Sequence, residues 1–132
     1  MSTVDLVKKS ISAVILQGEQ SIDGDGDCMY RTCNDKGNTL KCAIGHLISD
    51  EYYSTDLENV SARNEHIISA IEKSVGFPLS KDTAESLRYV QLSHDDAEEG
   101  PGFVKSFIIL LRSNSNEAIN KALEELGYER KV

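Results

Sequence analysis

The sequence predicts an α+β fold that is mainly helical, with about five helices and one small β-hairpin. Apolar residues recur at spacings of three and four along several separate stretches. Two short segments, MYRTC and TLKCAI, flank the turn-forming stretch NDKGN. The chain has 132 residues, 39% of them hydrophobic, which suits one domain with its own core. Residues 1–132 therefore read as a single globular domain.

The first helix is expected over residues 2–18. Val4, Leu6, Val7, Ile11, Val14 and Ile15 form its apolar face, Ser2 or Thr3 caps it, and Gly18 stops it. GEQSIDGDGD is polar and glycine-rich and reads as a loop. The hairpin follows, because Asn, Asp and Gly supply turn conformations that β-branched residues resist. Gly45 marks the change from the second strand to a short helix or turn, HLISDEYY. STDLENVSARN reads as loop. Ile67, Ile68, Ile71 and Val75 then predict a helix that Gly76 ends.

Ser80 caps the next helix, KDTAESLRYVQLSHDD, which carries acids in its first turn and turns Ala84, Leu87, Val90 and Gln91 inward. EEGPG breaks the chain. In FVKSFIILLRS the residues Phe103, Phe107, Leu110 and Leu111 cover one face, and Ile108 and Ile109 extend it. The last helix is capped by Asn114 or Ser115, buries Ile119, Ala122, Leu123 and Leu126, and stops at Gly127.

Acidic residues number 22 against 14 Lys and Arg, a net charge of −8. Such a surface repels phosphate backbones and anionic bilayers, so neither direct nucleic-acid binding nor membrane association is expected. It suits a basic protein partner. The N-terminus has no continuous apolar core of a signal peptide, and SFIILLR is too short to span a bilayer. With three cysteines and no secretory signal, reduced thiols in a cytoplasm are expected.

Several constellations offer chemistry. A thiol nucleophile needs a base, so Cys28 or Cys42 with His94 is the candidate pairing for a cysteine hydrolase. Asp23, Asp25 and Asp27 precede Cys28 and raise a thiol pKa instead of lowering it. Cys28, Cys33, Cys42 and His46 fit C-x4-C-x8-C-x3-H, the donor set of tetrahedral zinc. A helical core of this size folds without zinc, so no cofactor is expected and zinc is the alternative. The alternating aspartates also begin like a calcium loop, but the sixth position is Cys28 and the twelfth Asn34, where Gly and Glu belong. In SHDD, His94 at a helix C-terminus is expected to meet the dipole. His66 is expected to face solvent.

The hairpin presents Tyr30 and Arg31 on successive residues, hence on opposite faces. Arg31 is expected to pair with Asp50 or Glu51, or to meet an anionic ligand such as a nucleotide signal. Tyr30, Tyr52 and Tyr53 offer amphipathic contact area nearby. These residues form either a binding surface or a structural knot.

DGDCMYR, residues 25–31, resembles the cysteine box of the OTU-type deubiquitinating proteases. That resemblance implies a cysteine opening a helix and a histidine near the C-terminal end. Here a hairpin follows Cys28, and His94 is the last histidine. A longer resemblance rests on CMYR, KCAIGHLISDEYY and LRYVQLSHDD. It is similar to a family of small, mostly uncharacterised bacteriophage and bacterial proteins with Cys-x-Tyr-Arg, Lys-Cys-Ala-x-Gly-x-Leu-Ile and Leu-Gln-x-x-His-Asp segments. Matching positions are Cys28, Tyr30, Arg31, Lys41, Cys42, Ala43, Gly45, Leu47, Ile48, Asp50, Glu51, Tyr53, Gln91, Leu92, His94 and Asp95. The resemblance implies a phage-type origin and supplies no reaction. The expectation is a small, acidic, non-enzymatic phage accessory protein of the host cytoplasm that binds and modulates a basic host protein, in host takeover or anti-defence. A cysteine hydrolase and a small-molecule binder are the alternatives.

Overall fold

The computed structural model describes residues 2–58, 60 and 64–128. Helix α1 spans Thr3–Gln17. Its start is a reciprocal capping box, with the Ser2 hydroxyl accepting from the Asp5 amide at 3.1 Å and the Asp5 carboxylate accepting from the Ser2 amide at 3.0 Å. These bonds to Ser2 hold the Asp5 carboxyl below its usual pKa. Gly18 closes the helix at φ 76°, a left-handed conformation that glycine adopts without a Cβ penalty.

Strands β1 (Arg31–Cys33) and β2 (Thr39–Lys41) pair antiparallel with Arg31 opposite Lys41. The Asn34 side chain makes the turn between them, accepting from the amides of Lys36 and Asn38, each at 3.0 Å. Upstream, Ile22 and Cys28 form an isolated antiparallel bridge that closes the aspartate loop into a small ring. The stretch HLISDEYY takes the turn alternative of its expectation, as two 3-10 turns, Gly45–Leu47 and Asp50–Tyr52. Ile48 is extended (φ −100°, ψ 117°) and so separates the two turns, and its carbonyl accepts from the Arg31 guanidinium at 2.8 Å. Thr55–Leu57 adds a further 3-10 turn inside the expected loop. Of that loop, Asn59 and residues 61–63 lie outside the described residues.

Helices α2 (Glu65–Val75), α3 (Lys81–Asp96), α4 (Phe103–Arg112) and α5 (Glu117–Leu126) follow. The cap of α5 is Asn116, two residues beyond Asn114: its carbonyl oxygen accepts from Ile119 N–H at 3.0 Å. Asn114 instead receives the Asn116 amide at 2.7 Å and shapes the connection. Phe103, Phe107 and Leu111 bury the inner face of α4, whereas Ile109 is 48% exposed because it lies on the opposite side of a single turn.

Helix α1 lies at the centre of the packing, against α5 and α3, and α4 covers α3. Phe103 and Phe107 stack at 5.9 Å, and the His94 ring meets Phe103 edge-on at 5.4 Å. Among the described residues no helix is long and apolar enough to cross a membrane.

Candidate functional site

Two polar clusters flank the hairpin. The first joins Cys28 to the last turn of α3. Cys28 is placed by the Ile22–Cys28 bridge and by the neighbouring Met29 amide, which donates to Ser21 carbonyl at 2.9 Å. Across from it stand His94 and Asp95, and one ligating atom from each of the three residues lies within 4.8 Å of the others. This is the only such grouping of three or more among the described residues.

His94 is fully buried, which the polar setting SHDD does not suggest. Both ring nitrogens are engaged. Nε2 accepts from the Ser21 backbone N–H at 3.2 Å, which requires an unprotonated nitrogen. Nδ1 therefore carries the proton and donates to Asp95 Oδ1 at 2.9 Å. Gln91 Nε2 donates to the same carboxylate oxygen at 2.8 Å. The loop before Cys28 is held further by Gln20, whose amide donates to the carbonyls of His94 and Ala97. His94 thus ties the loop to the end of α3 and is not a solvent-exposed cap.

The Cys28 thiol is half-buried and donates only a long contact to the Asp95 carbonyl at 3.9 Å. Burial pushes its pKa up to about 12, and the charges of Asp95, Glu99 and Asp96 add to the rise. At neutral pH it is a thiol.

The second cluster surrounds Arg31. Its guanidinium pairs with Asp50 at 2.7 Å, donates to Ile48 carbonyl and lies 4.4 Å from the centre of the Tyr53 ring. Glu58 completes the arrangement. Its carboxylate accepts from the amides of Tyr30 (2.8 Å) and Arg31 (3.0 Å) and from the Tyr53 hydroxyl (2.6 Å). Burial, with the bond to Glu58, pushes the Tyr53 hydroxyl up to about 12. The Tyr30 ring is buried and its hydroxyl donates to Val60 carbonyl. Burial raises its pKa. Glu51 and Tyr52 are exposed. Glu58 has no signal in the sequence, since its three donors lie up to 28 residues upstream.

The other candidates are separated. Cys42 is fully buried and its sulfur receives the Gly45 amide at 3.3 Å. Burial raises its pKa, as for a small apolar core residue. Cys33 is exposed on β1. His46 is half-buried, with Nε2 buried and without a hydrogen-bond partner among the described residues. Burial, then the charge of Lys41, lowers its pKa to about 4. Cys28, Cys33, Cys42 and His46 therefore do not form one donor set; His94 and Asp95 take the places beside Cys28. His66 is exposed. Asp23 folds inward on its own loop, its carboxylate accepting from the amides of Asp25 and Asp27, each at 2.9 Å.

Around Cys28 two acidic segments converge. Asp25 and Asp27 are exposed on the loop, and Asp96, Glu98 and Glu99 are exposed beyond α3. The segments approach each other: a Cβ added on Gly26 would sit 3.8 Å from Glu99 Oε1. Among the described residues none of these five carboxylates is ion-paired with lysine or arginine. Comparison of the chain with family models, curated proteins and solved structures returns no match.

Proposed function

We propose that the protein is a non-enzymatic accessory protein of phage type, acting in the host cytoplasm, that binds and modulates a basic host protein. The carrying observation is the acidic lip made by the 23–27 loop and the 95–99 segment. Exposed carboxylates from two distant parts of the chain flank Cys28 there, and among the described residues none of them is ion-paired with lysine or arginine. Like charges held together raise the potential over that face and favour a basic partner, chiefly through the rate of encounter. The net charge of −8 acts in the same direction. The phage assignment rests on the resemblance alone.

The test is capture of partners from bacterial lysate by the full chain, with mass spectrometry. One stoichiometric basic protein is expected, released by salt near 0.5 M and lost with Asp25→Lys/Asp96→Lys. Recovery of no stoichiometric partner, or of one indifferent to both salt and charge reversal, overturns the reading.

A cysteine hydrolase is favoured by one observation, the closeness of Cys28 to His94. Its wiring opposes that reading. A general base must offer an unprotonated nitrogen to the thiol, and the one His94 has is occupied by the Ser21 amide. Iodoacetamide separates the two readings: rapid alkylation of Cys28 at neutral pH would favour the hydrolase.

A further inference from the structure

We propose that Cys28, His94 and Asp95 form a binding site for one thiophilic divalent cation of the zinc class, and that its occupancy releases Ser21 from His94. A thiolate, an imidazole and a carboxylate are the donors such ions select over calcium or magnesium. They come from two separate parts of the chain, the loop closed by the Ile22–Cys28 bridge and the last turn of α3. The Asp95 carboxylate already receives Gln91 Nε2 at 2.8 Å, an outer-shell bond of the kind that orients a metal ligand. One thiolate and one carboxylate neutralise a dication, and Asp96 and Glu99 add favourable charge beside it. Asp95 keeps 32% of its side chain exposed, which leaves a route for the ion and room for a water as fourth ligand.

Tetrahedral donors lie about 3.5 Å apart, so the atoms now spread over 4.8 Å must draw together. Cys28, on the loop, is the member free to move. The histidine carries the consequence. Beside the Asp95 carboxylate it is Nδ1 that would ligate, and this nitrogen now holds the proton. On binding, that proton passes to Nε2, and the thiol proton leaves to solvent, so one proton is released per ion. Nε2–H then faces the Ser21 N–H, donor against donor, and their hydrogen bond cannot persist. The ion and the Ser21 amide therefore require opposite tautomers of His94. Binding loosens the loop that carries the acidic lip.

The experiment titrates Co2+ into the reduced full chain with excess Mg2+ present, which occupies simple carboxylate sites but not thiolate. A thiolate-to-cobalt charge-transfer band saturating at one equivalent is expected, displaced by Zn2+. Cys28→Ala should weaken binding at least ~100-fold, Asp95→Asn roughly 10-fold, and Cys33→Ala not at all. Amide exchange should show the Ser21 N–H losing protection when Zn2+ is added. Absence of the band, its dependence on Cys33 instead of Cys28, or a Ser21 amide equally protected with and without Zn2+ would overturn the proposal.

Discussion

The two polar clusters beside the hairpin use similar residue types differently. Around Arg31, one glutamate accepts three hydrogen bonds, and the guanidinium is divided among a carboxylate, a carbonyl and an aromatic face. Around Cys28, the histidine and carboxylate are well bonded, but the thiol makes a long 3.9 Å contact and, among the described residues, the exposed carboxylates nearby pair with no lysine or arginine. The first cluster is committed to folding. The second has a weakly held thiol and exposed carboxylates that, among the described residues, pair with no lysine or arginine.

The largest effect expected is on the Arg31 side. Glu58→Ala strands the amides of Tyr30 and Arg31 and should cost about 4 kcal/mol in urea unfolding. An effect below about 1 kcal/mol would erase the contrast between the clusters. Gly45→Ala should follow at about 3 kcal/mol, because its Cβ would lie 2.1 Å from the Tyr30 carbonyl oxygen and must push apart two backbone segments. A shift in thermal midpoint reads it.

His46 supplies a pH dependence. Its folded pKa, about 4, lies below the ordinary histidine value of 6.5, so between these values the unfolded chain binds more protons. Stability is present above pH 6.5 and falls progressively as pH drops towards 4. His46→Gln should flatten that part of the curve.

Cys28→Ala should change stability by less than about 1 kcal/mol, since the thiol has no strong partner. Its raised pKa gives the opposite pH trend: between 9.0 and about 12 the unfolded chain binds fewer protons, so the thiol's contribution to stability falls with rising pH. In the metal-free native protein at pH 7.5, a thiol reagent should label Cys33 quickly and leave Cys28 and Cys42 slow. The smallest effect belongs to Asp50→Asn, within about 0.5 kcal/mol, because the Asp50 side chain is 88% exposed and its ion pair is screened.

The helices were legible because their signals are local. Ser80 caps α3 from the adjoining position, and glycines at 18, 76 and 127 end helices in left-handed geometry. The hairpin was legible from its turn residues, and the Arg31–Asp50 pair from charge and proximity. The buried state of His94 was not. SHDD has the composition of a solvated helix end, and what buries its histidine is an amide 73 residues upstream and a phenylalanine on the next helix. The grouping of Cys28 with His94 and Asp95 depends on the same long-range closure. Residue type alone offered His94 as a partner for Cys28, whereas spacing along the chain grouped Cys28 with Cys33, Cys42 and His46, and of these candidates it is His94 that the fold brings beside it.

The hairpin has only three residues per strand, and at its Arg31–Lys41 end a side chain lies beside each outer edge. Beside β2 the Gln17 amide accepts from Lys41 N–H and donates to Lys41 carbonyl, each at 2.9 Å, as a neighbouring strand would. Beside β1 the Glu58 carboxylate takes the Arg31 amide. At that end the Arg31 amide and both backbone groups of Lys41 are already taken, which shortens the stretch of free edge that another strand could pair with. One helical glutamine and one loop glutamate thereby stand where a third and a fourth strand would begin.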